Sequence, residues 1–186
     1  MIRSIPVWLL GSIVLIACRG GASTGHNNGG ATIAEPTEDA CPIGQTDEAR
    51  GRFSDDCIKR LVPWHFKSLD MSKDYVLLTR EIITPAHPRQ LNNIYVPRHA
   101  GSTLPSLTVI VSLDPPGVPL PDFEGEESVR GIPVEMRSDR SDRKGLRGAM
   151  WIDNGVWYAL VAMRVRQAAT VDAMLISWAT ELLTAD

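Results

Sequence analysis

The stretch GAMWIDNGVWYALVAM (148–163) admits few folds, because two apolar runs flank Asn154-Gly155. Asn-Gly accepts the positive φ angles of a two-residue type I′ turn, whose twist matches that of the strands it joins. A two-residue loop also fixes the register and pairs Asp153 with Val156. Side chains alternate along a strand with a period of two. Trp151, Asp153, Val156 and Tyr158 therefore share one face, and Ile152, Trp157 and Ala159 the other. A lone hairpin is marginal in water, so more strands or a helix must cover its apolar side chains.

The rest of the chain supplies both. DYVLLTREII (74–83), NNIYVPRH (92–99) and SLTVIVSL (106–113) are β-branched and aliphatic, and turn-forming residues bound them. DPPGVPLPDFEGEE (114–127) holds four prolines and reads as an extended loop. SVRGIPVEMRS (128–138) alternates as one strand, with Pro133 requiring an edge position or a bulge. The polar stretch after Cys41 leaves room for a short helix broken at Gly51. Beyond the hairpin, Val171, Leu175, Trp178 and Leu182 recur at helical spacing in TVDAMLISWATELLTAD (170–186). Thr170 is the expected N-cap, and Asp172 suits the positive end of the helix dipole. The predicted fold is α+β: an antiparallel β-sheet with a C-terminal amphipathic helix packed on one face. Residues 41–186 are long enough to form a single domain with a sizeable core.

The first residues read differently. Arg3 precedes a 13-residue apolar run (5–17), too short for a spanning helix but the right length for a secretory signal. The run ends in Leu15-Ile16-Ala17-Cys18, which resembles the lipobox of bacterial lipoprotein precursors. A thiol can be alkylated by a lipid donor, and the small Ala17 gives a peptidase access to the bond before Cys18. The resemblance implies a signal peptide over 1–17 and a Cys18 carrying a diacylglyceryl group and further acyl chains. Two or more such chains anchor a protein stably to a membrane. Arg19 follows where such lipoproteins carry Asp if retained at the inner membrane. That implies an extracytoplasmic location, on the outer membrane where there is one and otherwise on the outer face of the cell membrane. Residues 18–40 then form a Gly/Asn/Thr-rich tether with too little apolar surface to fold.

Export also bears on the other two cysteines. Cys41 and Cys57, 16 positions apart, are expected to form a disulfide in an oxidising compartment. A zinc site built on them and His65 lacks a fourth ligand and any CxxC spacing. Trp151, Asp153, Asn154, Gly155, Tyr158 and Leu160, followed by the helix from Thr170, resemble an uncharacterised bacterial domain. That domain occurs in extracytoplasmic lipoproteins and in the outer regions of anti-sigma-factor-like membrane proteins. The resemblance implies an exported, non-enzymatic domain and supplies no catalytic residues.

A search for chemistry yields little. There is no GxSxG, HExxH or phosphate-cradling glycine loop. His65, His87 and His99 are scattered, and each is a candidate general base without a visible partner. Asp122, Glu124, Glu126 and Glu127 form either a cation-binding loop or a solvated one, without EF-hand spacing. RSDRSDRKGLR (137–147) carries five cations against two acids. Arg140, Arg143, Lys144 and Arg147 are candidates for an anion site facing headgroup or envelope-polymer phosphates; the alternative is a loop of mutually screening charges. Trp64, Trp151, Trp157 and Trp178 either build the core or line a pocket. Trp178 and one hairpin tryptophan are expected in the core, and the other hairpin tryptophan is the better ligand candidate. No cofactor or metal is called for, and a net charge of −3 offers no basic field for nucleic acid. The expected function is a membrane-anchored lipoprotein with a non-catalytic binding or envelope-associated domain, its partner an envelope protein or an anionic envelope polymer. The alternatives are a sensor or regulatory module contacting a membrane protein, and an extracytoplasmic hydrolase.

Overall fold

Asn154 and Gly155 adopt φ values of 49° and 78°, the paired positive angles the turn requires. In this computed structural model, which describes residues 37–43, 48–69, 71, 73–83, 88–139, 145–165 and 167–184, they join two long strands. In chain order the elements are β1 (Ala49–Gly51), α1 (Asp55–Leu61), β2 (Tyr75–Ile83), β3 (Gln90–Pro97), β4 (Ser106–Ser112), β5 (Asp122–Val129), β6 (Ile132–Asp139), β7 (Leu146–Asp153), β8 (Val156–Met163) and α2 (Ala168–Thr184). All eight strands join one antiparallel sheet in the order β1-β2-β3-β4-β8-β7-β6-β5. The hairpin β7–β8 lies near its centre, with Asp153 opposite Val156 and Trp151 opposite Tyr158.

The hairpin's two faces have different fates. Trp151 and Tyr158 stack with ring centroids 5.4 Å apart on the face that α2 covers. Leu107, Val109 and Val111 of β4, Leu160 and Ala162 of β8, and Val171, Leu175, Ala179 and Leu182 of α2 fill the same core. On the opposite face Ile110, Met150, Ala159 and Val161 pack under Leu120 from the proline-rich loop. Gly148 permits that approach, because a Cβ there would strike the Leu120 side chain and lie 2.6 Å from the Leu160 carbonyl oxygen.

Three expectations need correction. Residues 128–138 are a hairpin instead of one strand: Arg130 and Gly131 take φ values of 54° and 80°, and Val129 pairs with Ile132. Arg-Gly is a weaker turn signal than Asn-Gly, but Gly131 supplies the same permissive backbone. Second, Asp122 to Glu127 form most of edge strand β5, so the loop ends at Pro121. Pro133 lies outside the part of β6 that β7 pairs, Glu135–Asp139. Third, α2 begins two residues earlier than its apolar spacing suggests. The Val171 N–H already bonds to the Gln167 carbonyl, which puts Thr170 inside the first turn. Trp178 sits half-buried at the rim of the core, edge-on to Tyr75, and Ala179 takes the buried position.

The amino-terminal part of the domain forms a second packing unit on the α2 side of the sheet. Gly51 ends β1, and α1 follows under a Ser54 cap whose hydroxyl accepts the Cys57 N–H at 3.2 Å. Asp55 and Asp56 in the first turn and Lys59 and Arg60 in the last suit the helix dipole. Cys57 and Ile58 pack with Phe53, Val62, Ile82 and Leu91. Cys41 and Cys57 form the expected disulfide, with Cα atoms 5.6 Å apart, which ties the chain before β1 to α1.

Candidate functional site

The site follows from one irregularity in β2. Leu77 pairs with Tyr95 and Thr79 with Ile94, which leaves Leu78 as an extra, bulged residue. Without the bulge, alternation from Tyr75 and Leu77 would carry Thr79 and Glu81 onto the α1 face. With it, that face receives Arg80 and Ile82. Leu78 is 48% exposed as a result. Arg80 is drawn in under α1, where it donates to the Phe53 carbonyl and pairs with Asp55.

Above Arg80 lies a cleft of about 750 Å³. Its floor is β2 and β3, with Tyr75, Leu77, Arg80, Leu91, Asn93 and Tyr95. Ile58 and Lys59 of α1 form one wall, and Trp64, Phe66, Leu69 and Met71 from the following segment form another. The segment is pinned at several points. The Trp64 indole N–H donates to the Pro88 carbonyl at 2.8 Å, and the Lys67 backbone N–H donates to the Tyr158 hydroxyl at 3.0 Å. Lys67 Nζ also pairs with Asp153 at 3.2 Å, both side chains being largely buried. Trp64 and Phe66 meet at 5.5 Å and 59°, presenting a continuous aromatic surface.

Polar satisfaction is poorest here. Buried side-chain polar atoms nearly always find partners. Among the described residues six lack one, and five of those atoms belong to residues lining this cleft: Arg52 Nε and Nη1, Arg80 Nε, Asn93 Oδ1 and the Tyr75 hydroxyl. Each such group costs roughly 1–3 kcal/mol. Among the described residues the lining carries the cations Arg52, Lys59, Arg80 and Arg98 and one carboxylate, Asp55.

Burial governs the tyrosines. The Tyr75 phenol is pushed up to about 12, first by desolvation and then by Asp74. Tyr95 and Tyr158 are also raised, chiefly by desolvation. Arg80 partly offsets this at Tyr95 and the Lys67 N–H does so at Tyr158, while Asp55 and Asp153 respectively add to the shifts. These three are all the tyrosines of the chain. The native state therefore holds phenolic protons that the unfolded chain releases near pH 10, so stability falls as pH rises from about 10 toward 12. Ultraviolet titration should show phenolate appearing only above pH 10, coincident with loss of near-ultraviolet circular dichroism. Full ionisation at pH 10 in a still-folded protein would contradict this account.

The sequence candidates distribute unevenly over the structure. His65 lies exposed at the cleft mouth, His99 is exposed in a turn outside the cleft lining, and His87 falls outside the described residues. Arg140, Arg143 and Lys144 also fall outside them, as do Cys18, the signal peptide and all of the tether but residues 37–40. Arg147 has a different partner from the one expected: its Nη2 donates to Asp172 at 2.6 Å and its Nε to the same carboxylate, fastening β7 to the second turn of α2. Glu124 accepts from the Ser138 hydroxyl, and Glu126 and Glu127 are exposed on β5. No group of three metal-ligating side chains occurs among the described residues. Trp151 is the hairpin tryptophan in the core, and Trp157, which that leaves as the ligand candidate, is half-buried against the loop-covered face. Trp64 lines the cleft instead, and its place between Pro63 and His65 in an irregular segment offers no periodicity from which to read it. Comparison with protein-family models, with curated proteins and with solved structures finds no match for this chain.

Proposed function

We propose that this chain is a lipid-anchored envelope protein whose domain is a non-catalytic ligand-binding module, with its site in the cleft between α1 and strands β2 and β3. The lipobox at Leu15-Ile16-Ala17-Cys18 supports the anchor, and the resemblance of the β7–β8 hairpin to exported domains supports the location. The observation that carries the binding reading is the coincidence of three features in one place. The cleft is of a size that holds a small molecule, its aromatic wall is fixed by hydrogen bonds, and among the described residues five of the six unpartnered buried polar atoms belong to residues that line it. Sites of this kind combine apolar walls that bury a ligand with a few polar groups that orient it. Pre-positioned walls reduce the entropy lost on binding.

The test is to purify the protein from its own membranes, unfold it, and analyse what is released by mass spectrometry. A small molecule should appear from the wild type and be depleted from Trp64→Ala, which removes the aromatic wall. Trp64→Ala should still fold, at a cost of about 3 kcal/mol for the lost indole hydrogen bond and the lost packing of a half-buried side chain against the core. Equal recovery of every small molecule from both proteins would overturn the binding reading. In the same preparation, the peptide starting at Cys18 should carry the mass of its acyl chains. An unmodified Cys18 would overturn the anchor.

A further inference from the structure

We propose that the ligand of this cleft is a monoanion, a carboxylate on a flat apolar body, which enters with its head toward Arg52 and Arg80. The inference rests on the cleft being a binding site and adds the class of ligand.

Charge is the first argument. The chain as a whole is acidic, at −3, yet among the described residues the lining of this cleft carries four cations and one carboxylate. Asp55 is already engaged by Arg80. Arg52 and Arg80 also border a neighbouring hollow that holds Glu38 and Asp56, so the preference for an anion rests on their unpartnered guanidinium nitrogens rather than on net charge alone.

The second argument is the donor inventory. Arg80 spends its terminal nitrogens on Phe53 and Asp55, and its Nε is left without a partner. Arg52 uses its backbone N–H on Asp39 at 2.7 Å, while its side-chain Nε and Nη1 have none. These are three donor nitrogens on two guanidinium groups, and they call for an acceptor. Guanidinium donors match the geometry and charge of a carboxylate. Arg80 is held on this face by the bulge at Leu78, at the expense of an exposed leucine and an interrupted ladder.

The body of the ligand follows from the walls. Trp64, Phe66 and Tyr95 favour a flat ring, which stacks on aromatic faces or meets their edges. Asn93 Oδ1, buried and unpartnered on the floor, accepts a hydrogen bond from an N–H or hydroxyl on that ring. Indole-3-acetate combines a flat ring, a ring N–H and a single carboxylate, which makes it a suitable probe. Indole-3-acetamide has the same shape without the charge.

Isothermal titration calorimetry on the full chain should show indole-3-acetate binding at least tenfold more tightly than indole-3-acetamide. The advantage should shrink as salt rises and disappear in Arg52→Gln. Arg52→Gln keeps the backbone bond to Asp39, so its thermal unfolding should stay within a few degrees of wild type. Equal affinity for acid and amide would overturn the anion and leave the cleft as a binding site for neutral ligands. Binding of neither would overturn the anion and count against the cleft as well. An acid preference retained by Arg52→Gln would remove Arg52 from the site and overturn the proposal as stated.

Discussion

Replacing Cys41 and Cys57 together by alanine should lower the stability of the domain by about 3 kcal/mol. The bridge closes a loop over a sequence separation of 16, and releasing a loop of that length restores about that much chain entropy to the unfolded state. In a domain of this size each kcal/mol moves the midpoint of thermal unfolding by roughly 3 °C, so a fall of about 10 °C is expected. The loss should also be uneven. Cys57 packs α1 with Ile58 onto Ile82 and Leu91, next to the cleft wall. Amide exchange should therefore quicken first in α1 and only later in β4 and β8, because locally tethered units open before the central strands. Ligand affinity should fall at temperatures where the sheet is still intact. A midpoint within 2 °C of wild type, with α1 still protected, would show that the bridge is dispensable.

Leu175→Ala should cost still more, about 4 kcal/mol. Leu175 is fully buried in the main core, on the face of α2 that rests chiefly on β7. Removing three carbons from such a site loses their transfer free energy and leaves a cavity that the sheet cannot collapse to fill. Ile152→Ser supplies the contrast. Ile152 is 46% exposed on the opposite face, and its replacement should change stability by less than about 0.5 kcal/mol. Denaturant unfolding of both variants checks the pair. Similar losses in the two would mean that the hairpin's faces are assigned the wrong way round.

How much of this is legible in the sequence depends on how local the responsible physics is. The β7–β8 turn, its register and its faces follow from Asn154-Gly155 and alternation alone, and the structure has them as expected. The disulfide pairing follows from the cysteine count once export is expected, and the structure has it. The hairpin between β5 and β6 is less legible, because Arg130 carries no turn preference and the four prolines upstream mask the start of β5. The fate of Arg147 was not legible at all. Its neighbours mark it as part of a basic loop, but Asp172 sits 25 residues away and meets it only once α2 lies on the sheet.

The cleft shows the division most sharply. Read as a string, YVLLTREII places Arg80 out of phase with Tyr75 and Leu77, on the face away from α1. The extra residue at Leu78 reverses that phase, and a bulge depends on how β2 and β3 are forced to pair, not on the local composition of either. Trp64 and Phe66 belong to a segment without regular structure, and long-range bonds to Pro88 and Tyr158 give them their positions. The sequence by itself determined the strands β2 to β4, the central hairpin, the terminal helix and the cysteine pair, because turn chemistry, side-chain period and thiol count act over a few residues or need no geometry. Only the tertiary structure decided where a cation would be buried and what would face it, because that depends on strand register and on contacts between residues far apart in the chain.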